Sequence, residues 1–239
     1  MPFTGSHYLE DNSIQLARGL IKGAAPINLF GTTNGLAHIT TTEFRTAWEL
    51  PQDYVFPAVQ ATMDISSDDA SDSSINIKII GLDDQYHEIS DVITLDGTNV
   101  VESNIPFFRI NAALTLNSNP VGNITITDSA SVVSYIKAGD GRDQKSIYTV
   151  PFNKAFYLMR IDAFATDANG GKAAQFRNKI TTETGQTFRV GATTFFDHMP
   201  VQRAVPYRYA PMTDINMQLK SLSGAVYGAV FGEGITIKE

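Results

Sequence analysis

Cysteine is absent from all 239 residues, which removes disulfide staples, thiolate metal sites and any thiol nucleophile. The absence fits a protein made in a reducing cytoplasm. Charge is scarce too, with Asp, Glu, Lys and Arg making up 18% of the chain, against the ~25% usual for soluble domains. That leaves more neutral surface than a monomer needs and points to a homo-oligomer. The 18 basic and 25 acidic residues give a net charge of -7, a balance unsuited to tracking phosphates, so no nucleic acid is expected as a partner. Missing as well are an apolar run of ~18 residues and a cationic amphipathic helix, so the chain is expected neither to span a bilayer nor to lie on one. The first residues, Met1 to Ser13, lack the basic and apolar regions of a secretory leader, and export by that route is not expected.

Catalytic groupings are equally scarce. No GxSxG elbow occurs, and neither Gly31 to Gly35 (GTTNG) nor Gly139 to Gly141 (GDG) ends in the GK[ST] of a phosphate loop. The four histidines, His7, His38, His87 and His198, have no HxH or HxxxH spacing that would put two on one face. No cofactor, no metal and no enzymatic activity are expected. Asp64, Asp68, Asp69 and Asp72 place four carboxylates in nine residues, yet the segment lacks the glycine and bidentate glutamate of a calcium loop. A solvated Ser/Asp turn region is the plainer reading, with calcium left open. Asp140 and Asp143, in GDGRD, read the same way.

What the chain does hold is β-structure. Ile75, Ile77 and Ile79 alternate with Asn76 and Lys78. Ile89 to Leu95, Phe107 to Leu116 and the pair Ile124 and Ile126 continue the pattern. Turn residues at Gly81 to Asp84, Leu95 to Thr98 and Asn117 to Pro120 separate these runs. The second half repeats the style over Ala173 to Thr181, Thr187 to Phe196, Val201 to Tyr209, Ile215 to Leu222 and Ala225 to Ile237. Strands about ten residues apart, without intervening helices, describe an all-β chain of antiparallel β-sandwich or jelly-roll units. Three regions follow: an N-terminal arm with edge strands over 1–53, a first β-sandwich over 54–137, and a second, jelly-roll-like sandwich over 138–239. The arm should add a strand to a sheet, in its own subunit or the next one.

Gly139 to Asp167 reads as a hairpin turning at Pro151 to Lys154. On its second arm Tyr157, Met159, Ile161, Ala163 and Ala165 share one parity and call for burial. Phe156, Leu158, Arg160, Asp162 and Phe164 share the other, too apolar for a free surface, and need cover from a second sheet or a neighbouring subunit. Gly224 to Gly232 is apolar on both parities and should be a central or interface strand. Contact candidates are therefore Leu16, Leu20 and Phe30 in the arm, with Phe156, Phe164 and Tyr227 on strand faces. Among the aromatics, with Arg203 and Arg208 beside them, Tyr207 and Tyr209 with His198 form a candidate platform for a glycan or a receptor, core packing being the competing explanation.

The string IYTVP-FNK-AFYLMRIDAF after AGDGRDQ resembles a pattern of structural proteins of tailed-bacteriophage particles. Ile77 to Thr98 (IKIIGLDDQYHEISDVITLDGT), Pro106 to Leu116 (PFFRINAALTL) and Asn123 to Ile126 (NITI) resemble its companion elements, in the same order. The arm from Leu16 to Gly31 is similar as well. The resemblance implies a virion component of β-sandwich or jelly-roll type, present in multiple copies on capsid, neck, tail or fibre attachment point. Its partners would be itself and other virion proteins.

Overall fold

The computed structural model describes residues 12–33, 39–40 and 42–239. A short helix, α1 (Asn12–Ala17), precedes β1 (Ala24–Thr32) and β2 (Arg45–Thr46). Then come β3 (Asp64–Ser67), β4 (Asn76–Leu82), β5 (Glu88–Thr94), β6 (Val101–Glu102), β7 (Arg109–Thr115), β8 (Ile124–Thr127) and β9 (Val132–Ile136). The second half holds β10 (Ile147–Thr149), β11 (Lys154–Asp167), β12 (Gly170–Gly171) and β13 (Ala173–Thr181). It ends with β14 (Thr187–Phe196), β15 (His198–Tyr209), β16 (Asp214–Ser221) and β17 (Tyr227–Lys238). All named pairings are antiparallel, so the chain is all-β as the sequence suggests.

Two sandwiches result. In the first, the sheet β6-β3-β8-β9 faces the sheet β5-β4-β7. Ile65, Ile77, Ile79, Phe107, Ile124 and Ile126, all fully buried, fill the space between them. Their β-branched side chains alternate with polar ones, which is what a strand with one wet face requires. In the second, a terminal sheet β1-β17-β11, with β15 and β12 on the far side of β11, faces a companion sheet β10-β16-β13-β14 to which β2 adds. Phe156, Leu158, Phe176, Ile215, Met217 and Val230 form its core.

The N-terminal arm joins this second sandwich within its own chain: β1 lies along β17 and β2 along β16. Strand β17 therefore sits between β1 and β11, the central position that its two-sided apolar sequence demands. Gly234 explains one of its glycines, because a Cβ there would come within 2.2 Å of the Tyr157 carbonyl oxygen and 2.6 Å of the Phe156 ring.

Three expectations are corrected. The hairpin of Gly139 to Asp167 does not form. Strand β10 pairs with β16 and β11 pairs with β17, so the chain crosses at Pro151 from one sheet to the facing one. Tyr148 and Phe156 then meet edge-on across the core with ring centroids 5.4 Å apart, a contact that neighbours within one sheet would not make. The faces of β11 also differ from strict alternation. Leu158 stands opposite Gly234 and Arg160 opposite Glu233, which leaves Met159 as an extra residue in a β-bulge. Phe156 and Leu158 point inward before the bulge, and Ile161, Ala163 and Ala165 do so after it. Finally, the acidic segment is not one solvated loop. It contains β3 and a 3-10 turn, Ala70–Asp72, whose Asp72 is buried. That carboxylate accepts hydrogen bonds from Ser67 Oγ (2.6 Å) and the backbone N–H groups of Val121 and Gly122 (2.8 and 3.0 Å).

The sandwiches are joined by buried polar contacts. Arg109 of β7 donates from Nε and Nη2 to both oxygens of Asp214 in β16, at 2.9 and 3.0 Å. Its Nη1 also reaches the Pro57 carbonyl, and its guanidinium lies 3.9 Å from the Phe108 ring centroid. Asn111 and Thr149 exchange a reciprocal pair of side-chain to backbone bonds beside it. Trp48, Tyr54 and Ile147 make a smaller apolar cluster of their own.

Candidate assembly surface and the open flank

The outer face of the terminal sheet follows from its register. Phe30 stands opposite Phe231, which stands opposite Asp162, which stands opposite Pro200. The next row runs Ala229, Phe164, His198, and beyond it Tyr227 faces Thr166. On the other side come Arg160 with Glu233, then Tyr157 with Ile235. The result is an aromatic and aliphatic surface with one ionic cluster set in it. Phe30, Phe164 and Tyr227 are 41%, 44% and 40% exposed, values well above what core residues show, and nothing among the described residues covers them.

The ionic cluster is ordered. Asp162 is buried, Arg160 Nε lies 2.6 Å from its Oδ2, and His198 Nε2 lies 3.2 Å from its Oδ1. The His198 ring stacks on Phe164 with centroids 4.3 Å apart and planes inclined by 8°. At the rim, Arg208 pairs with Glu239, which also accepts from the Tyr157 hydroxyl at 3.2 Å. Exposed aromatic and aliphatic side chains around a paired ionic cluster, with a polar rim, are features found in protein–protein contacts.

Of the six contact candidates, Phe30, Phe164 and Tyr227 come together on this face. Phe156 does not: it is fully buried, stacked on Tyr209 in the core, because the bulge at Met159 follows it and turns only the later residues over. Leu16, in α1, is half-buried, and Leu20, which follows the helix, is 59% exposed; both precede β1 and take no position in the sheet.

The His198, Tyr207 and Tyr209 platform is also corrected. His198 pairs with Phe164 at one end of β15 and points outward, whereas Tyr207 pairs with Leu158 near the other end and points inward. Tyr209 is core, with its hydroxyl accepting from Asn178 Nδ2 at 2.6 Å, and burial pushes its pKa up. His7 and His38 lie outside the described residues. Asp68 accepts from the Asn123 backbone and side chain, and Asp69 from Ser71, so these carboxylates serve as turn caps. Among the described residues no three His, Cys, Asp or Glu side chains are gathered in a metal-binding group. Asp143 is buried against Lys145 (3.1 Å) and Ser134 (2.6 Å), while Asp140 accepts from Gln144.

The two flanks of the second sandwich differ. On one, isolated bridges from Phe30 and Trp48 to Lys145 tie the facing sheets together. On the other, the chain leaves β14 at Asp197, held at φ 64°, and enters the facing sheet as β15. These two strands are the edges of their sheets, and a cleft opens between them. Its wider part, about 270 Å³, is bordered by Phe188, Val190 and Tyr207, and a smaller hollow of about 70 Å³ continues past Asn178 and Arg203. Opposite Met159, β15 carries four residues, Arg203 to Pro206, that bow out of the sheet, with Val205 80% exposed. Asn178 carries no sequence signal that would have singled it out, whereas Arg203 lies in the aromatic-bearing run Val201 to Tyr209 that suits a sugar.

Comparison with known proteins adds little. No family model matches the chain, and no curated protein does. Solved structures of the infectious bursal disease virus Gt strain and of the infectious bursal disease virus VP2 subviral particle are each 12% identical. They cover 91% and 90% of this chain, and 73% and 71% of their own, at TM-scores of 0.24 and 0.25. A likeness of that size carries no functional inference.

Proposed function

We propose that the chain is a non-enzymatic structural protein of a virus particle, specifically of a tailed phage, and that it works through contacts between subunits. One observation carries the reading: the outer face of the terminal sheet exposes Phe30, Phe164 and Tyr227, with Phe231 and Ile235 half-exposed between them. Its occupant is a second copy of this chain, with other virion proteins engaging the assembled form. The low charge and the resemblance of Ile77 to Asp167 to phage structural proteins support the same reading. Sedimentation of the purified protein over a concentration series tests it, together with imaging of labelled particles. A self-associating protein located on the particle agrees with the reading. A strictly monomeric protein that attaches to no particle component overturns it.

A further inference from the structure

We propose that the open flank between β14 and β15 is a binding site for one sugar unit of a glycan, a unit that carries a carboxylate. The first observation is a buried polar atom without a partner. Asn178 is only 4% exposed, and its amide nitrogen donates to the Tyr209 hydroxyl, while its Oδ1 meets no donor. Turning the amide over merely leaves the nitrogen unmatched instead. Buried polar groups are nearly always satisfied, so an orphan bordering a cleft marks a place for a ligand group. A hydroxyl, being both donor and acceptor, suits either orientation of the amide.

The second observation is the wall of the cleft. Tyr207 borders both hollows, and Phe188, 49% exposed, stands across from it on the facing edge strand. Aromatic rings beside hydrogen-bonding groups suit the apolar face of a pyranose ring, whose own edges are hydroxylated. A cleft of about 270 Å³ holds one such ring and leaves its neighbours in the glycan outside. The third observation is charge. Arg203 borders the inner hollow and lies 5.6 Å from the Tyr207 ring centroid, with no carboxylate paired to it among the described residues. Arg208, by contrast, is committed to Glu239. A guanidinium without a counter-ion, beside an apolar wall, selects an anionic group and binds it in a fixed geometry.

The site is distinct from the outer face of the sheet. Tyr207 points inward from β15, whereas His198 and Phe164 point outward, so each surface can be altered alone.

The test uses the full chain with glucuronate and glucose as probes, followed by backbone amide shifts. Glucuronate should bind with a dissociation constant of about 1 mM, the range that ligand efficiency allows a molecule of its size. The largest shifts should fall on β14 and β15, with glucose at least about tenfold weaker. Arg203→Gln should abolish the preference for glucuronate while leaving weak binding of both. Asn178→Leu changes a buried position, so Tyr207→Ala serves beside it, and unchanged melting qualifies either variant. A well-folded Tyr207→Ala should lose both sugars. Failure of glucuronate to bind at about ten times that concentration, shifts mapping elsewhere, or an unchanged preference in Arg203→Gln each overturns the proposal. So does capture of an extended peptide along the same edges in place of a sugar.

Discussion

Leu158 and Phe164 share a parity on β11, six residues apart, yet Leu158 is fully buried in the sandwich and Phe164 is 44% exposed on its outer face. The residue that separates them is Met159, which has no partner in the register with β17. A single inserted residue turns every later side chain over, since the strand period is two. Removing Met159 would leave Ile161 and Ala163 inside and Arg160 and Phe164 outside, because Leu158, Arg160 and Ile161 already stand opposite the consecutive residues Gly234, Glu233 and Gly232. Deletion of Met159 should therefore keep a cooperative calorimetric transition, and its loss would mean that the bulge itself is needed to seat β11. Met159→Ala, at a 42% exposed position, should shift stability by less than about 1 kcal/mol.

Gly234 stands opposite Leu158 at this same place. A methyl group there would overlap the Tyr157 carbonyl and the Phe156 ring, both held by the core. Gly234→Ala should cost about 3 kcal/mol or more, read by chemical denaturation, because overpacking beside rigid backbone has no cheap relief. A neutral effect would mean that β11 and β17 separate more readily than their register suggests.

Much of this architecture was legible in the residues. Alternation located β4, β5, β7, β13 and β14, because one wet face per strand writes itself into period two. The strand β3 hid among aspartates and serines because its Asp64 and Ser66 face outward while Ile65 alone carries the apolar signal. The false hairpin arose from a turn sequence that is real. Pro151 to Lys154 does reverse the chain, but local chemistry does not say whether the two arms pair or face each other across a core. The bulge was invisible for a related reason: it is fixed by Gly234 and by the bowed segment of β15, far off in sequence. Of the surface residues, Phe30, Phe164 and Tyr227 were found as apolar side chains on an excess face. Arg203 was legible as a polar group among the aromatics of β15, whereas Asn178 matters only for what tertiary structure places beside it.

The Arg109 and Asp214 pair spans the two sandwiches with both residues buried. Removing one partner strands the other charge, at a cost of about 3–5 kcal/mol. Arg109→Met and Asp214→Leu should each lower the denaturation midpoint strongly, whereas the double substitution should recover much of the loss. An additive double mutant would contradict the coupling. Asp214 also accepts from Thr149 at 2.6 Å, so recovery should fall short of complete.

Phe164 lies at the middle of the exposed face and, among the described residues, stacks on the partly exposed His198 ring alone. Phe164→Asp should leave the melting temperature within a few degrees, because surface substitutions away from the core cost about 0.5 kcal/mol. It should nevertheless weaken self-association by at least about tenfold, since it removes an exposed aromatic side chain from the contact and sets a second carboxylate beside Asp162. Sedimentation of the two proteins side by side separates the effects. Equal association would move the contact to another surface.

Glu49 gives the molecule a pH dependence of defined sign. Its carboxylate is buried, and neither oxygen meets a hydrogen-bond donor among the described residues. Burial, with Asp140 next and Asp143 adding to it, raises its pKa from 4.5 to about 7, against a smaller lowering from Lys137. The folded protein therefore holds a proton on this group that the unfolded chain releases above pH 4.5. With fewer protons bound in the unfolded state, stability falls as pH rises through the interval from about 4.5 to about 7, and is flat for this group on either side. A shift of that size corresponds to about 3 kcal/mol, which nearby solvent trims to about 2. Glu49→Gln should remove the slope between pH 5 and 7 and gain most of that energy at pH 8. Denaturant midpoints measured across pH for both proteins decide it: parallel curves would assign the slope to other groups, whereas convergence at pH 5 and divergence toward pH 8 would place it on Glu49.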